Sequence, residues 1–226
     1  MATTKQTQMI AGRMVEFQDR FEKLSNADSQ WLIQNTGEAI DLFIAAVVNR
    51  AKATTQAVVA ILGEIIATVP IPATTEKFVA KDNFKVDISE DAKVKISYLG
   101  DNFKKWFTGK TEEPFPGSTV YGRKLNKDSV DGPIIAELGG QEKSETTLSE
   151  VYAIMERQPN GKAGELLNNG YANIFYVRDI TGTLRAVVVY WDDDGWGVDA
   201  VSVEDPHEWY SGDLVFSRNS FVTQAA

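Results

Sequence analysis

Between Leu184 and Val203 the chain reads LRAVVVYWDDDGWGVDAVSV, two runs of β-branched and aromatic residues separated by three aspartates and a glycine. Asp-Gly between alternating apolar runs is a strong hairpin signal, because both residues tolerate a positive φ that other side chains resist. A hairpin here pairs Leu184–Trp191 with Trp196–Val203, and brings Tyr190 and Trp191 opposite Trp196 as aromatic cross-strand neighbours. The segment therefore commits this part of the chain to an antiparallel sheet. A turn accounts for every residue except the number of aspartates. Asp192, Asp194 and Asp199 offer hard oxygen ligands and Gly195 a sharp bend, so they are the candidate ligands of a divalent cation. The spacing and the closing bidentate glutamate of an EF-hand are absent.

Other regions carry two further periods. Ile10, Met14, Phe17, Phe21 and Leu24 make one helical stripe, broken at Ser25–Asp28, and a second helix is expected from Gly37 to Thr68 with Asn35 as N-cap and Glu38 as its capping-box partner. Its seam is Ile40, Ile44, Val47, Ala51, Thr54, Val58, Ile61 and Ile65, and further apolar residues lie off that seam. The surplus needs a cover, either the rest of the chain or a second copy. Val69-Pro-Ile-Pro72 ends the helix. The expected organisation is a helical hairpin over residues 1–70, a proline-containing linker over 71–75 and an α+β domain over 76–222.

In that domain Phe84, Val86 and Ile88, then Val94, Ile96 and Tyr98, alternate with polar residues as half-buried strands. Asp101 reads as the cap of a short helix with Phe103, Trp106 and Phe107. Asp131-Gly-Pro-Ile-Ile-Ala-Glu-Leu-Gly-Gly140 reads as a helix of two turns that starts near Pro133 and stops at the paired glycines. Thr147-Leu-Ser-Glu150 is a capping box before a stripe of Leu148, Val151, Tyr152 and Met155. Strands follow at Ile174–Arg178, Leu184–Trp191, Trp196–Val203 and Leu214–Ser217. The fold class is α+β, an antiparallel sheet covered by short helices.

Composition removes several kinds of chemistry. With no cysteine there is no disulfide, thiolate metal site or cysteine nucleophile, and a reducing cytoplasm is the simplest home. No signal peptide is read at the N-terminus, and charges interrupt Leu42–Val69, so no membrane span is expected. Residues 133–226 hold 15 acidic and 6 basic side chains, nearly all of the net charge of −9. An acidic surface repels phosphate backbones, which makes a nucleic acid an unlikely partner and a basic protein a fitting one. The lysines from Lys81 to Lys110 are balanced by nearby acids and read as a solvated strand face.

Four strings, ISYLGDNFKKWFTGKTEEP from Ile96, AELGGQEKSETTLSEVY from Ala136, NNGYANIFYVRDITGTLRAV from Asn168 and VFSRNS from Val215, together resemble a family of hypothetical proteins from genomes of uncultured bacteria. The resemblance covers roughly residues 75–221. It implies no activity, ligand or catalytic residue.

No constellation of side chains marks a reaction. The single histidine, His207, sits in a proline-containing loop without a nucleophile-elbow pattern around Ser211, Ser217 or Ser220. No Walker or Rossmann glycine pattern is present. Trp191, Asp192, Asp194, Trp196, Asp199 and Trp209 are the candidate binding residues. They suit a non-catalytic binding or assembly module that engages a basic protein through an acidic, Trp/Tyr-rich C-terminal sheet, with self-association through residues 1–70. The alternative is a carboxylate-based hydrolase or glycan-active enzyme, in which paired acids, with or without a divalent cation, do the chemistry. No other cofactor is expected.

Overall fold

The computed structural model describes residues 23–55, 60–205 and 207–220. The chain divides into two compact units, Met1–Val58 and Val59–Ala226. The first contains the helices α1 (Asn26–Gln34) and α2 (Thr36–Thr55). Ser25 caps α1, its hydroxyl accepting the Asp28 backbone N–H at 3.2 Å. Asn35, expected to cap the second helix, precedes it and its carbonyl accepts the Ala39 N–H at 3.0 Å, but its side chain turns back to the first helix: the backbone N–H and side-chain amide donate to the Trp31 carbonyl at 2.8 and 2.9 Å. One residue outside helical geometry is all that separates the two helices. The expected stripe from Ile10 to Phe21 lies outside the described residues.

The second helix does not run to Thr68. Leu62–Ile71 is a strand, β1, so the boundary between units falls well before the prolines. The β-branched Ile65, Ile66, Thr68 and Val69 favour extended backbone, and the apolar recurrence of this segment suits either period over so short a span. Its second half alternates, with Ala67, Val69 and Ile71 buried and Thr68 and Pro70 exposed. Pro70 has no N–H to give a second neighbour, and β1 is an end strand paired only with β5.

The second unit continues with β2 (Phe78–Val79), α3 (Ala80–Asn83), β3 (Ile96–Leu99), α4 (Asp101–Phe107), β4 (Thr111–Glu112), β5 (Ser118–Leu125), β6 (Ser129–Val130), α5 (Asp131–Glu137), α6 (Gln141–Ser144), β7 (Glu145–Thr146), α7 (Leu148–Arg157), β8 (Asn173–Arg178), β9 (Leu184–Asp192), β10 (Gly195–Ser202), β11 (Glu208–Trp209) and β12 (Leu214–Ser217). The main sheet runs β1-β5-β12-β8-β9-β10-β3, with β7 beside β8. The α+β architecture is the one expected, but the sheet is mixed: β10–β3, β12–β8 and β7–β8 are parallel. Strands that are not neighbours in sequence come together here, and alternation along one strand carries no information about the direction of such a partner.

One face of the sheet is covered by α4 and α7. Phe103 and Phe107 from α4, and Leu148, Val151, Tyr152 and Met155 from α7, pack with Val187, Val189, Trp196, Val198, Phe175 and Phe216. On the opposite face, Ile134, Ile135 and Leu138 from and just after α5, with Trp209, cover Ile174, Tyr176, Ala186 and Val215. Gly139 and Gly140 stop α5 at φ 92° and 100°, the left-handed backbone for which the pair is suited.

The capping box at Thr147 is present and carries more than a helix end. Glu150 is fully buried, accepts the Thr147 N–H at 2.8 Å, and takes two bonds from Arg218 at 2.8 Å each and one from the Ser118 hydroxyl. One carboxylate thus fastens α7 to the start of β5 and to the chain after β12. Glu112 adds a second clamp by accepting the Leu148 and Ser149 N–H groups at 2.9 Å. Replacing Glu150 with Gln leaves Arg218 without its charge partner, so Glu150→Gln is expected to lower stability by about 2 to 3 kcal/mol in a urea titration. A loss no larger than that of the exposed Glu142→Gln would show the network to be passive.

Candidate functional site

The β9–β10 hairpin turns at Asp193-Asp194, with Asp193 at φ 26° and Asp192 paired with Gly195. A two-residue turn fixes the register, and side chains alternate between faces from there. Odd positions of β9 and even positions of β10 face α4 and α7. Trp191 and Trp196 therefore meet on the covered side, edge to face, with ring centres 5.2 Å apart. Trp196 is fully buried and its indole N–H donates to the Gln158 carbonyl at 2.9 Å. Trp191 is half-buried and lies over Gly161. Trp209 is buried under α5, its N–H donating to Asp131 at 2.8 Å. Two of the three candidate tryptophans are interior residues with satisfied donors, and none of the three lies on the exposed part of the sheet described next.

The other face of the hairpin carries Tyr190 and Asp192 from β9 and Gly197, Asp199 and Val201 from β10. The cover provided by α5 and Trp209 buries Ala186 and Val188, packs partly against Tyr190 and Val201, and leaves Tyr98 and Asp192 exposed. Tyr98 joins it from β3. Against Trp196 and Gly197 the partners on β3 are Ile96 and Tyr98, with Ser97 the extra residue of a bulge. The bulge carries Tyr98 away from buried Ile96 and leaves it about half exposed. Strict alternation of Val94, Ile96 and Tyr98 as core residues fails at this point. Val86 and Ile88, also expected in a half-buried strand, are exposed, and only an isolated bridge joins Asp87 to Ile96.

Gly197 is required by this surface. The hydroxyl end of the Tyr190 ring lies across it, and a Cβ there would collide with the ring. Burial, then the neighbouring Tyr98, Asp199 and Asp192, push the Tyr190 phenol above its ordinary range. The row is thus acid, tyrosine pair, acid: Asp192 beside Gly195, Tyr190 and Tyr98 on either side of Gly197, and Asp199 beside Val188.

The aspartates do not converge on a cation. Asp199 is four residues along β10 from Gly195, about 13 Å at the rise of a strand. Its Oδ1 accepts the Ala200 N–H at 2.7 Å. Among the described residues no group of three or more histidine or acidic side chains is placed to hold a metal.

Elsewhere, Asp131 is a buried carboxylate that the sequence did not single out. Its Oδ1 accepts from the Tyr176 hydroxyl and the Trp209 indole, both at 2.8 Å, while Oδ2 is buried without a hydrogen-bond partner. His207 packs edge-on against Trp209, ring centres 4.4 Å apart, and no hydrogen bond among the described residues joins it to a serine. A cavity of about 370 Å³ beside it is lined by Asn102, Trp106, Val201, Ser202, Asp205 and His207 and holds one carboxylate, not a pair. A second, of about 360 Å³, lies at Lys124, Asn126, Leu167, Asn169, Tyr171 and Ser211 and holds none. In the lysine-rich middle segment, Phe103 and Phe107 are core residues and do not offer stacking surfaces. No described helix is long and apolar enough to cross a membrane.

No family model, curated protein or solved structure matches this chain.

Burial raises the Asp131 carboxyl above the usual carboxylate range, against the opposing effect of its bonds from Trp209 and Tyr176 and of the nearby His207. The folded chain therefore holds this proton more tightly than the unfolded one. The resulting stability is complete below the unfolded value near about 3.9 and is lost as pH rises through the folded value. Asp131→Asn keeps an acceptor for Tyr176 and Trp209 but removes the titration. Between pH 4 and 7 the variant is expected to gain on the parent by up to about 1.4 kcal/mol per pH unit, measured by denaturant titration. Parallel pH profiles would contradict the assignment.

Proposed function

We propose that the chain is a non-catalytic binding or assembly module that engages a basic protein through the open face of its sheet. The observation that carries this reading is the incomplete cover of that face: it thins beyond Val188, where Tyr190 packs only partly against it, Asp199 is half-buried, and Tyr98 and Asp192 are exposed. Exposed aromatics on a rigid sheet are anchors for a partner, and carboxylates beside them set the sign of its charge and speed the encounter. The excess of acidic over basic side chains in residues 133–226 supports the same polarity at longer range.

A ten-residue lysine peptide serves as the probe in isothermal titration. Binding is expected to weaken steeply with salt, and the double variant Asp192→Lys/Asp199→Lys to bind about tenfold more weakly, a change of about 1.4 kcal/mol. The control Glu90→Lys/Glu142→Lys, with both positions exposed but off this face, is expected to change affinity little. Equal losses in the two variants would make the effect one of net charge, and the face would not be the site.

The helical unit carries the assembly half of the proposal. Ile40, Phe43 and Ile44 on α2 are each about half exposed and fall on one helix face. A second copy of the same helix would cover them. Sedimentation velocity is expected to show a dimer for the full chain and a monomer for Ile40→Ser/Phe43→Ser/Ile44→Ser. A monomeric parent at every attainable concentration would refute self-association by this route.

A further inference from the structure

We propose that the open face reads an extended basic segment, seating cationic side chains from alternate residues along the row Asp192, Tyr190, Asp199, with an arginine stacked on Tyr190 at the centre. The proposal rests on the binding reading above and specifies its partner. Three observations carry it: the register, the aromatic centre and the sign of the charge.

In the hairpin register Asp192 is level with Gly195, Tyr190 with Gly197, and Asp199 with Val188. Successive levels are two residues apart, about 6.8 Å at the rise of an antiparallel strand. An extended segment laid along the hairpin presents same-side groups at that same interval, residues i, i+2 and i+4. A helical segment presents its same-side residues at i, i+3, i+4 and i+7, at unequal steps of about 4.5 to 6 Å, and follows a straight row at even intervals of about 6.8 Å less well. The central level is aromatic on both sides of Gly197, since Tyr98 stands opposite on β3 and Tyr190 lies across the glycine. A guanidinium is planar and weakly hydrated, so it stacks on a phenol ring where an ammonium keeps its water. The flanking levels each supply a carboxylate.

The charge argues against other occupants. A nucleic-acid strand or an anionic lipid surface brings negative charge to two aspartates, and a second copy of this face does the same. Lys95, whose carbonyl accepts the Trp196 N–H at 2.8 Å, borders the Asp192 end of the row. At the other end Asp199 is half-buried over Gly100, with Oδ1 bonded to the Ala200 N–H.

The test uses the full chain and two dye-labelled peptides of one composition, threonine-rich, with three arginines either at alternate positions or contiguous. Fluorescence anisotropy is expected to give the alternating peptide about tenfold tighter binding, and to lose most of that preference in Tyr190→Leu and in Tyr98→Ser. The second variant alters an exposed side chain, so the proposal stays testable if Tyr190→Leu does not fold. Asp192→Asn and Asp199→Asn are each expected to weaken binding of the alternating peptide. Replacing the central arginine with lysine is expected to cost several-fold in affinity. Equal affinities for the two spacings would overturn the proposed row while leaving a basic partner in place. Failure of both peptides to bind would overturn the basic-partner reading with it.

Discussion

The register of the β9–β10 hairpin is the constraint on which the rest depends. Because the turn at Asp193-Asp194 has only two residues, Asp192 must pair with Gly195, and every later pair follows. One step of slip would exchange the faces, sending Trp196 to solvent and Asp199 into the core. That alternative is closed by Trp196 itself, which is fully buried and gives its only side-chain donor to the Gln158 carbonyl. The core under α4 and α7 and the exposed row of Tyr190, Asp192 and Asp199 are thus two consequences of one pairing.

Several carboxylates outside that row are occupied with holding the fold. Glu150 joins α7, β5 and the chain after β12, and Glu112 clamps the same helix end. Asp179 accepts from Thr181, Thr183 and Arg185, whose guanidinium also lies over Trp106 at 4.1 Å. A carboxylate whose oxygens are already bonded to backbone and arginine is not free to move a proton or grip a partner. Asp192 lies exposed at the surface, and half-buried Asp199, with one oxygen bonded to the Ala200 N–H, keeps no arginine partner among the described residues.

Much of the fold was legible in the sequence because its signals were local. The capping box at Thr147 and the glycine stop after α5 each depend on a few adjacent residues, and each formed; the hairpin formed as well, but its turn is Asp193-Asp194 and not Asp-Gly, with Gly195 paired to Asp192 as the first residue of β10. What failed depended on partners distant in sequence. Leu62–Ile71 has apolar spacing that fits a helix, and only pairing with β5 makes it a strand. Parallel pairing of β10 with β3 required neighbours about a hundred residues apart, and the bulge at Ser97 that exposes Tyr98 exists only in that pairing. For the site, the aspartates of the hairpin could be named in advance. The tryptophans were misleading, since the residue type that anchors interfaces also fills cores, and parity against a distant helix decides between the two. Gly197 opposite Tyr190 was the readable clue, a residue without a side chain beneath a ring.

The most direct measurement of this account is hydroxyl-radical footprinting with mass spectrometry, on the protein alone and with an arginine-bearing extended peptide. The account predicts that Tyr98 and Tyr210 oxidise readily and Tyr190 less so, that Tyr176, Trp196 and Trp209 are protected, and that the peptide protects Tyr98 and Tyr190 while leaving Tyr210 unchanged. Ready oxidation of Trp196 with protection of Tyr190 in the free protein would contradict the register. Protection by the peptide at Tyr210 in place of Tyr98 and Tyr190 would contradict the site.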